Sequence, residues 1–214
     1  EVTQEISTSA ISGEFSSYSC DIIKNAIGSI YNQYGHTFYV LTFPGNGKTW
    51  VYDISTELWH SRSSMDNDGN HNGRYRPAFF ENVYNATYAL DYEKSNLYLV
   101  SKDYHSDNGI NIQRTGIFYN ISSGGKRIIH REINLNFLDS IGNVNLILKN
   151  SDNKGHTFSN EIKINVVTQK IPWIKHHNLG TSRDRMYKIS WEDNDENYIK
   201  EFLDGYVIAD ITNF

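Results

Sequence analysis

The chain has 214 residues, of which 14% are aromatic, with 15 Tyr, and 21% charged, with only three Pro; this excludes a disordered segment and a nonglobular chain. At this length roughly 70% of the unfolded surface can be buried, enough for one all-β domain or a domain and a half. A formal net charge of −5 excludes a surface that grips nucleic acid all over, although local basic patches stay open, and the single Cys20 excludes an internal disulfide framework.

The chain begins with Glu1 and has no basic segment followed by an apolar one, so it reads as a processed or excised piece without a signal peptide. No apolar run approaches the roughly 18 residues of a membrane span, and one Cys fits a protein assembled in a reducing cytosol. Glu1 to Ala26 is the one plausible helical stretch, with Ile6, Ala10, Ile11, Ile22, Ile23 and Ala26 at mixed helical spacing. Ser16 to Ser19 interrupts it. Cys20, without a neighbour that would activate a thiolate, is expected to be a small buried hydrophobe. Gly28 to Tyr31 starts the strand region.

Tyr34 to Arg62 organises the first half. His36 to Phe43 alternates with apolar groups on both faces, Phe38 and Val40 on one and Tyr39, Leu41 and Phe43 on the other, so it is a strand covered on both sides. Pro44-Gly45-Asn46-Gly47 reverses the chain, Thr49 to Asp53 returns antiparallel, and Leu58 to Arg62 follows as a third strand. A meander apolar on both faces is what a propeller blade needs, because neighbouring blades sandwich it. Tyr52-Asp53, a turn and Leu58-Trp59 is echoed by Leu90-Asp91, a turn and Leu97-Tyr98; the Asp spacing of 38 positions is close to a blade period of roughly 40 to 50 residues. Trp50, Tyr52, Trp59 and Tyr98 are expected in the core, with Trp59→Ala costing about 3–5 kcal/mol.

Met65 to Gly73 is a polar loop. Asp66, Asp68 and Asn70 stand at the first three ligand positions of a calcium loop, but His71 takes the obligatory Gly position and Pro77 the place of the bidentate Glu, which makes it a solvated turn. Arg74 to Val100 is the second meander, and Lys102 to Gly109 the loop leaving it. With a soft boundary at Ser106 to Asn111, residues 1–110 form propeller blades, the last part of a longer propeller, and residues 111–214 a closing region. There the strands lengthen to Gln113–Tyr119, Arg127–Phe137, Val144–Lys149, Glu161–Val167, Met186–Trp191 and Tyr206–Ile211. The expected fold is all-β: partial β-propeller meanders followed by a β-sandwich-like region.

Within that region Ser151-Asp152-Asn153-Lys154-Gly155-His156-Thr157-Phe158 resembles the Asp-box hairpin of sialidases and other propellers, with Asn153 for the Asp and Phe158 for the Trp. Ser151 and Asn153 are expected to bond turn amides, Gly155 to take the reversed backbone angle, and Phe158 to pin the hairpin to the sheet beside Thr157. Such a hairpin is a folding device and predicts architecture, not hydrolysis.

Motifs of catalysis are missing: no Gly-x-Ser-x-Gly elbow, phosphate loop, Gly-x-Gly-x-x-Gly or His-Glu-x-x-His occurs. His176-His177 point to opposite faces of a strand and do not chelate one ion. The sequence therefore supplies no catalytic residue, metal ligand or cofactor site, and the chain is not expected to be an enzyme, although a glycosidase carboxylate pair is a three-dimensional feature that a sequence cannot display. The sequons at Asn85 and Asn120 read as coincidence. Two basic clusters, Lys126, Arg127, His130 and Arg131, and Lys175, His176, His177, Arg183, Arg185 and Lys188, lack interleaved stacking aromatics and read as solvated faces before phosphate sites. The acidic turn Glu192 to Asn197 reads as exposed.

The ordered blocks GHTFYVLTFPGNGKTWVYDISTELWHSRSS, GRYRPAFF, SDNKGHTFSNE and HNLGTSRDRMYKIS, spanning most of Gly35 to Ser190, resemble the phage packaged-DNA stabilisation family, tail hub or nozzle proteins of short-tailed phages and prophages. The resemblance implies a virion structural protein, the C-terminal portion of a longer one, assembled in the host cytoplasm as a ring, typically a hexamer. In the tail it would contact the portal, its adaptor and the tail needle, retaining packaged DNA without specific readout or membrane contact. Arg183 and Arg185, in a polar segment between strands, are the expected interface residues. The alternative reading is a carbohydrate-binding or sialidase-like propeller module.

Overall fold

The computed structural model describes residues 5–65, 70–71 and 73–212. Two units are separable, Glu1–Asp103 and Tyr104–Phe214. The expected boundary lies slightly later, because the segment read as an exit loop contains β8 (Ser106–Asp107), which pairs with β9 (Ile110–Ile117) of the second unit.

The first unit opens with two short helices, α1 (Ser9–Ser16) and α2 (Cys20–Lys24). The serine run separates them for a reason of capping: Ser17 closes α1 by donating its N–H to Glu14, and the Ser19 hydroxyl accepts the Ile22 N–H at the start of α2. Cys20 is exposed, not buried, because it occupies the first turn of a surface helix whose residues include none that is buried.

Four antiparallel strands follow in sequence order: β1 (Ile27–Gln33), β2 (His36–Phe43), β3 (Lys48–Asp53) and β4 (Leu58–Arg62). The expected three-stranded meander thus gains β1 at its edge. A second, three-stranded meander is β5 (Pro77–Val83), β6 (Ala86–Asp91) and β7 (Leu97–Val100). The two sheets pack through Tyr31, Val40 and Val51 from the first and Phe80 and Ala89 from the second, with the Tyr31 and Phe80 rings stacked at 4.6 Å. On the outer side of the first sheet, Phe15 and Tyr18 of the helical segment pack on Phe43, and Phe15 also on Trp59. Trp59 is half-buried there and not in the core as expected, since the cover on that side among the described residues is the short helical segment; its indole N–H donates to the Ile6 carbonyl at 3.0 Å. Trp50 and Tyr98 are likewise half-buried, while Tyr52 is buried.

In the second unit one strand, β11 (Ile128–Ser151), replaces the two expected at Arg127–Phe137 and Val144–Lys149. Its ladder continues through the junction because partners on either edge hand over there. β12 (Ile162–Gln169), β13 (Trp173–His177) and β14 (Thr181–Ser182) follow one another along one edge, and β15 (Asp184–Asp193) and β16 (Tyr198–Ile211) along the other. β15 also pairs with β9 and with β10 (Ile121–Ser122). Asp139 and Gly142 take positive φ, 45° and 71°, and bend β11. The buried positions accordingly switch parity, from Ile133, Leu135 and Phe137 to Val144, Leu146 and Leu148, and both sets share one core with Val166, Tyr187, Ile189, Trp191 and Ile199. Only glycine fits at the bend, because a Cβ on Gly142 would collide with the Asn197 side chain and the Glu196 carbonyl. The fold is all-β, blade-like antiparallel meanders followed by a sandwich-like region made by a sheet that folds on itself.

Candidate functional site

The echo of Asp53 in Asp91 has a structural cause. Asp53 ends β3, accepts the Ser55 N–H at 2.9 Å across the following turn, and meets His36 Nδ1 at 2.7 Å. Asp91 ends β6, accepts the Glu93 N–H at 2.8 Å, and binds Arg76 at 2.8 Å and the Tyr98 hydroxyl at 2.7 Å. Burial works against the Asp91 charge, but the Glu93 N–H, Tyr98 and Arg76 outweigh it and bring its pKa down to about 2. Both carboxylates are turn clamps consumed by their own sheets. Asp193 is held by Arg114 and by the Ile199 N–H, yet its burial raises its pKa.

Arg185 does not lie in a polar loop. It stands near the start of β15, 4% exposed, and grips Asp152 through Nε at 2.6 Å and Nη2 at 2.7 Å while Nη1 donates to the Leu179 carbonyl. The Asp152 hydrogen bond raises the Arg185 pKa against the effect of burial, and the pair ties the β11–β12 turn to β15. A guanidinium engaged this way offers nothing to a neighbouring subunit. Arg183 is exposed.

In that same turn the Ser151 hydroxyl accepts the Gly155 N–H at 2.9 Å, and Asn153 Oδ1 accepts the Thr157 N–H at 2.9 Å while Asn153 Nδ2 donates to Thr157 Oγ1 at 2.8 Å. Gly155 takes φ 87°. Phe158 lies under the Lys188 ammonium of β15, 5.5 Å from its ring centroid.

Two surfaces are left unexplained by internal packing. On the outer face of the second meander, cross-strand partners share a side, and Phe79, Leu90 and Leu97 line up in one row beside Leu99 and Val83. All five are exposed, Phe79 by 54% and Leu97 by 61%. The second surface is the outer face of β13, β11 and β16, opposite the core side of the bend. Its rows are Trp173, Asn136 and Asp204; then Lys175, Asn134 and Tyr206; then His177, Glu132 and Ile208. An open cavity of about 590 Å³, lined among others by Arg131, Glu132, His177, Thr181 and Ile208, adjoins the last row. Register alone joins these residues, which come from three separate stretches of sequence, so no local motif could have disclosed them.

The calcium-loop positions Asp66 and Asp68 lie outside the described residues. Among the described residues no three His, Cys, Asp or Glu side chains converge on a point that could hold an ion, and no helix is long and apolar enough to cross a membrane.

No family model matches the chain, and no curated protein matches it. Among solved structures it is similar to an exo-β-1,3-galactanase from Phanerochaete chrysosporium with galactose, at 10% identity and a TM-score of 0.25 over 84% of this chain and 56% of that one. A variant of that enzyme with β-1,3-galactotriose gives 8% identity and a TM-score of 0.23, over 85% of this chain and again 56% of that one. The chain thus spans little more than half the length of these structures, and a likeness this low carries no argument about function.

Proposed function

We propose that the chain is a structural component of a phage or prophage tail hub, working in a ring of copies below the portal, where it helps to retain packaged DNA. The observation that carries this reading is the uncovered row of Phe79, Leu90 and Leu97 with Leu99 and Val83 beside it. A sheet that packs its inner face on the preceding meander and presents aliphatic and aromatic groups outward has the surface of a blade awaiting a neighbour. The face carries only Glu81 as a charged group among its paired positions, so a neighbouring copy can cover it without stranding buried charge. The order of sequence blocks from Gly35 to Ser190 supports the same family. Portal, adaptor and tail needle are the partners this role needs, and virion tail and host cytoplasm its places.

The experiment is mass in solution by light scattering, for the chain alone and with purified portal and adaptor. Rings are expected, and Phe79→Glu together with Leu97→Glu should abolish them while circular dichroism stays that of the parent. A parent chain that stays monomeric with both partners present would overturn the role.

A further inference from the structure

We infer that the outer face of β13, β11 and β16 is a binding site for a neutral oligosaccharide. Trp173 is 54% exposed although its indole N–H is already satisfied inside, donating to Asn134 Oδ1 at 3.0 Å. Asn134, fully buried, is in turn fixed by its Nδ2 donating to Glu132 at 2.6 Å. The ring is therefore held in orientation by buried groups while a large part of its apolar surface is left in water. Folding gains nothing from that exposure, whereas the C–H face of a sugar stacks on such a ring. Tyr206, 46% exposed, is a second platform one row further along and across the sheet.

The groups around the platforms select the class of ligand. Asn136 donates to Asp204 at 2.6 Å, Glu132 meets His177 at 3.0 Å, and the Lys175 ammonium lies over the Trp173 ring, 5.2 Å from its centroid. Amide, carboxylate, ammonium and imidazole groups within one small area are what hydroxyls of both hydrogen-bonding senses require. The carboxylates of Glu132 and Asp204 repel a phosphate backbone, and an apolar protein partner would bury these polar groups without returning their hydrogen bonds. The purely apolar row of Phe79, Leu90 and Leu97 shows the other kind of surface in the same chain. From the Trp173 row to the His177 row is about 14 Å, four residues of strand, and the cavity beyond adds room for a terminal unit between Arg131, Glu132 and Thr181. The site fits a chain of roughly three sugar units.

The test titrates the full chain with cellotriose, laminaritriose, maltotriose and β-1,3-galactotriose, following tryptophan fluorescence and amide and indole N–H chemical shifts. At least one trisaccharide is expected to saturate, moving the Trp173 indole and the Asn134 and Tyr206 signals. Trp173→Ala and Tyr206→Ala should each weaken it by about tenfold or more while circular dichroism stays that of the parent; Trp173→Ala also lowers the melting temperature, because it removes the donor to the buried Asn134. Phe79→Glu should leave binding as it was. Absence of saturation by all four sugars, or binding that survives both platform substitutions, overturns the inference; so does a preference for an acidic trisaccharide such as sialyllactose over every neutral one.

Discussion

Tyr31, Val40, Val51, Phe80 and Ala89 join two separate meanders in the N-terminal unit, whereas the C-terminal unit gathers eleven buried hydrophobic residues around a single bent strand. In the first unit each sheet has two faces to cover, and the described residues supply cover for three of the four: the sheets for each other, and the helical segment for the outer side of β2 to β4. In the second unit the bend at Asp139 and Gly142 makes one sheet its own partner, so the apolar side is closed internally and the outer side is free to be polar. The difference teaches where function has room. An uncovered aliphatic face suits assembly, and a covered core with a polar-aromatic exterior suits a small ligand.

Breaking the second unit's advantage takes a core substitution. Phe137 is fully buried and meets both Trp191 and Phe202, at 5.7 and 5.3 Å between ring centroids. Phe137→Ala is expected to cost about 3–5 kcal/mol, read as lost hydrogen-exchange protection along β11, β15 and β16. If protection falls equally in β2 and β3, the two units do not have separate cores.

The units share one weakness, and acid exposes it. His60 accepts from Arg62 Nε at 3.2 Å, and burial followed by the Arg62 charge brings its pKa down to about 4 despite Asp53. His130 shares a hydrogen bond with Ser182 at 2.8 Å, and burial followed by the Arg185 charge brings it to about 4 as well, against the pull of Asp152. A histidine whose pKa is lower folded than unfolded favours the native state fully above the unfolded value of about 6.5. Between there and pH 4 the unfolded chain binds protons that the folded chain refuses, so stability falls with pH, by up to about 3 kcal/mol per histidine. Urea midpoints measured from pH 7 to pH 4 should decline, and His60→Gln and His130→Gln should each flatten part of the slope. A decline left intact by both substitutions would assign it to other groups.

What the sequence disclosed was local. The two-faced alternation of Phe38 to Phe43 gave β2, the repeated Asp marked the two turns that follow β3 and β6, and the serine run gave the break between the helices. What escaped depended on pairing between distant segments. Nothing in Asp139 to Gly142 announces that β16 and β12 carry the ladder across it, so one strand was read as two. Arg185 looked like a surface charge because Asp152, its partner, lies 33 positions away. Of the polar-aromatic face, the two basic clusters were visible as charge, but Asn134, Trp173 and Tyr206 become neighbours only through the register of β11 with β13 and β16.

Trp59 shows how the same limit affects a magnitude. The β3–β4 register sets it opposite Tyr52, whose ring lies 5.1 Å away, yet among the described residues its side of the sheet is roofed by Phe15, at 6.1 Å, and by the Ile6 carbonyl. A half-buried indole loses part of its area and one hydrogen bond on truncation, which together suggest about 1–2 kcal/mol, less than half of what a core tryptophan costs. Trp59→Ala should lower the urea midpoint by that smaller amount and free α1 first, seen as loss of exchange protection at the Ser12 amide that bonds the Thr8 carbonyl. A cost near that of Phe137→Ala would mean that the helical segment is a full structural layer, and that the first unit is as well covered on that side as the second.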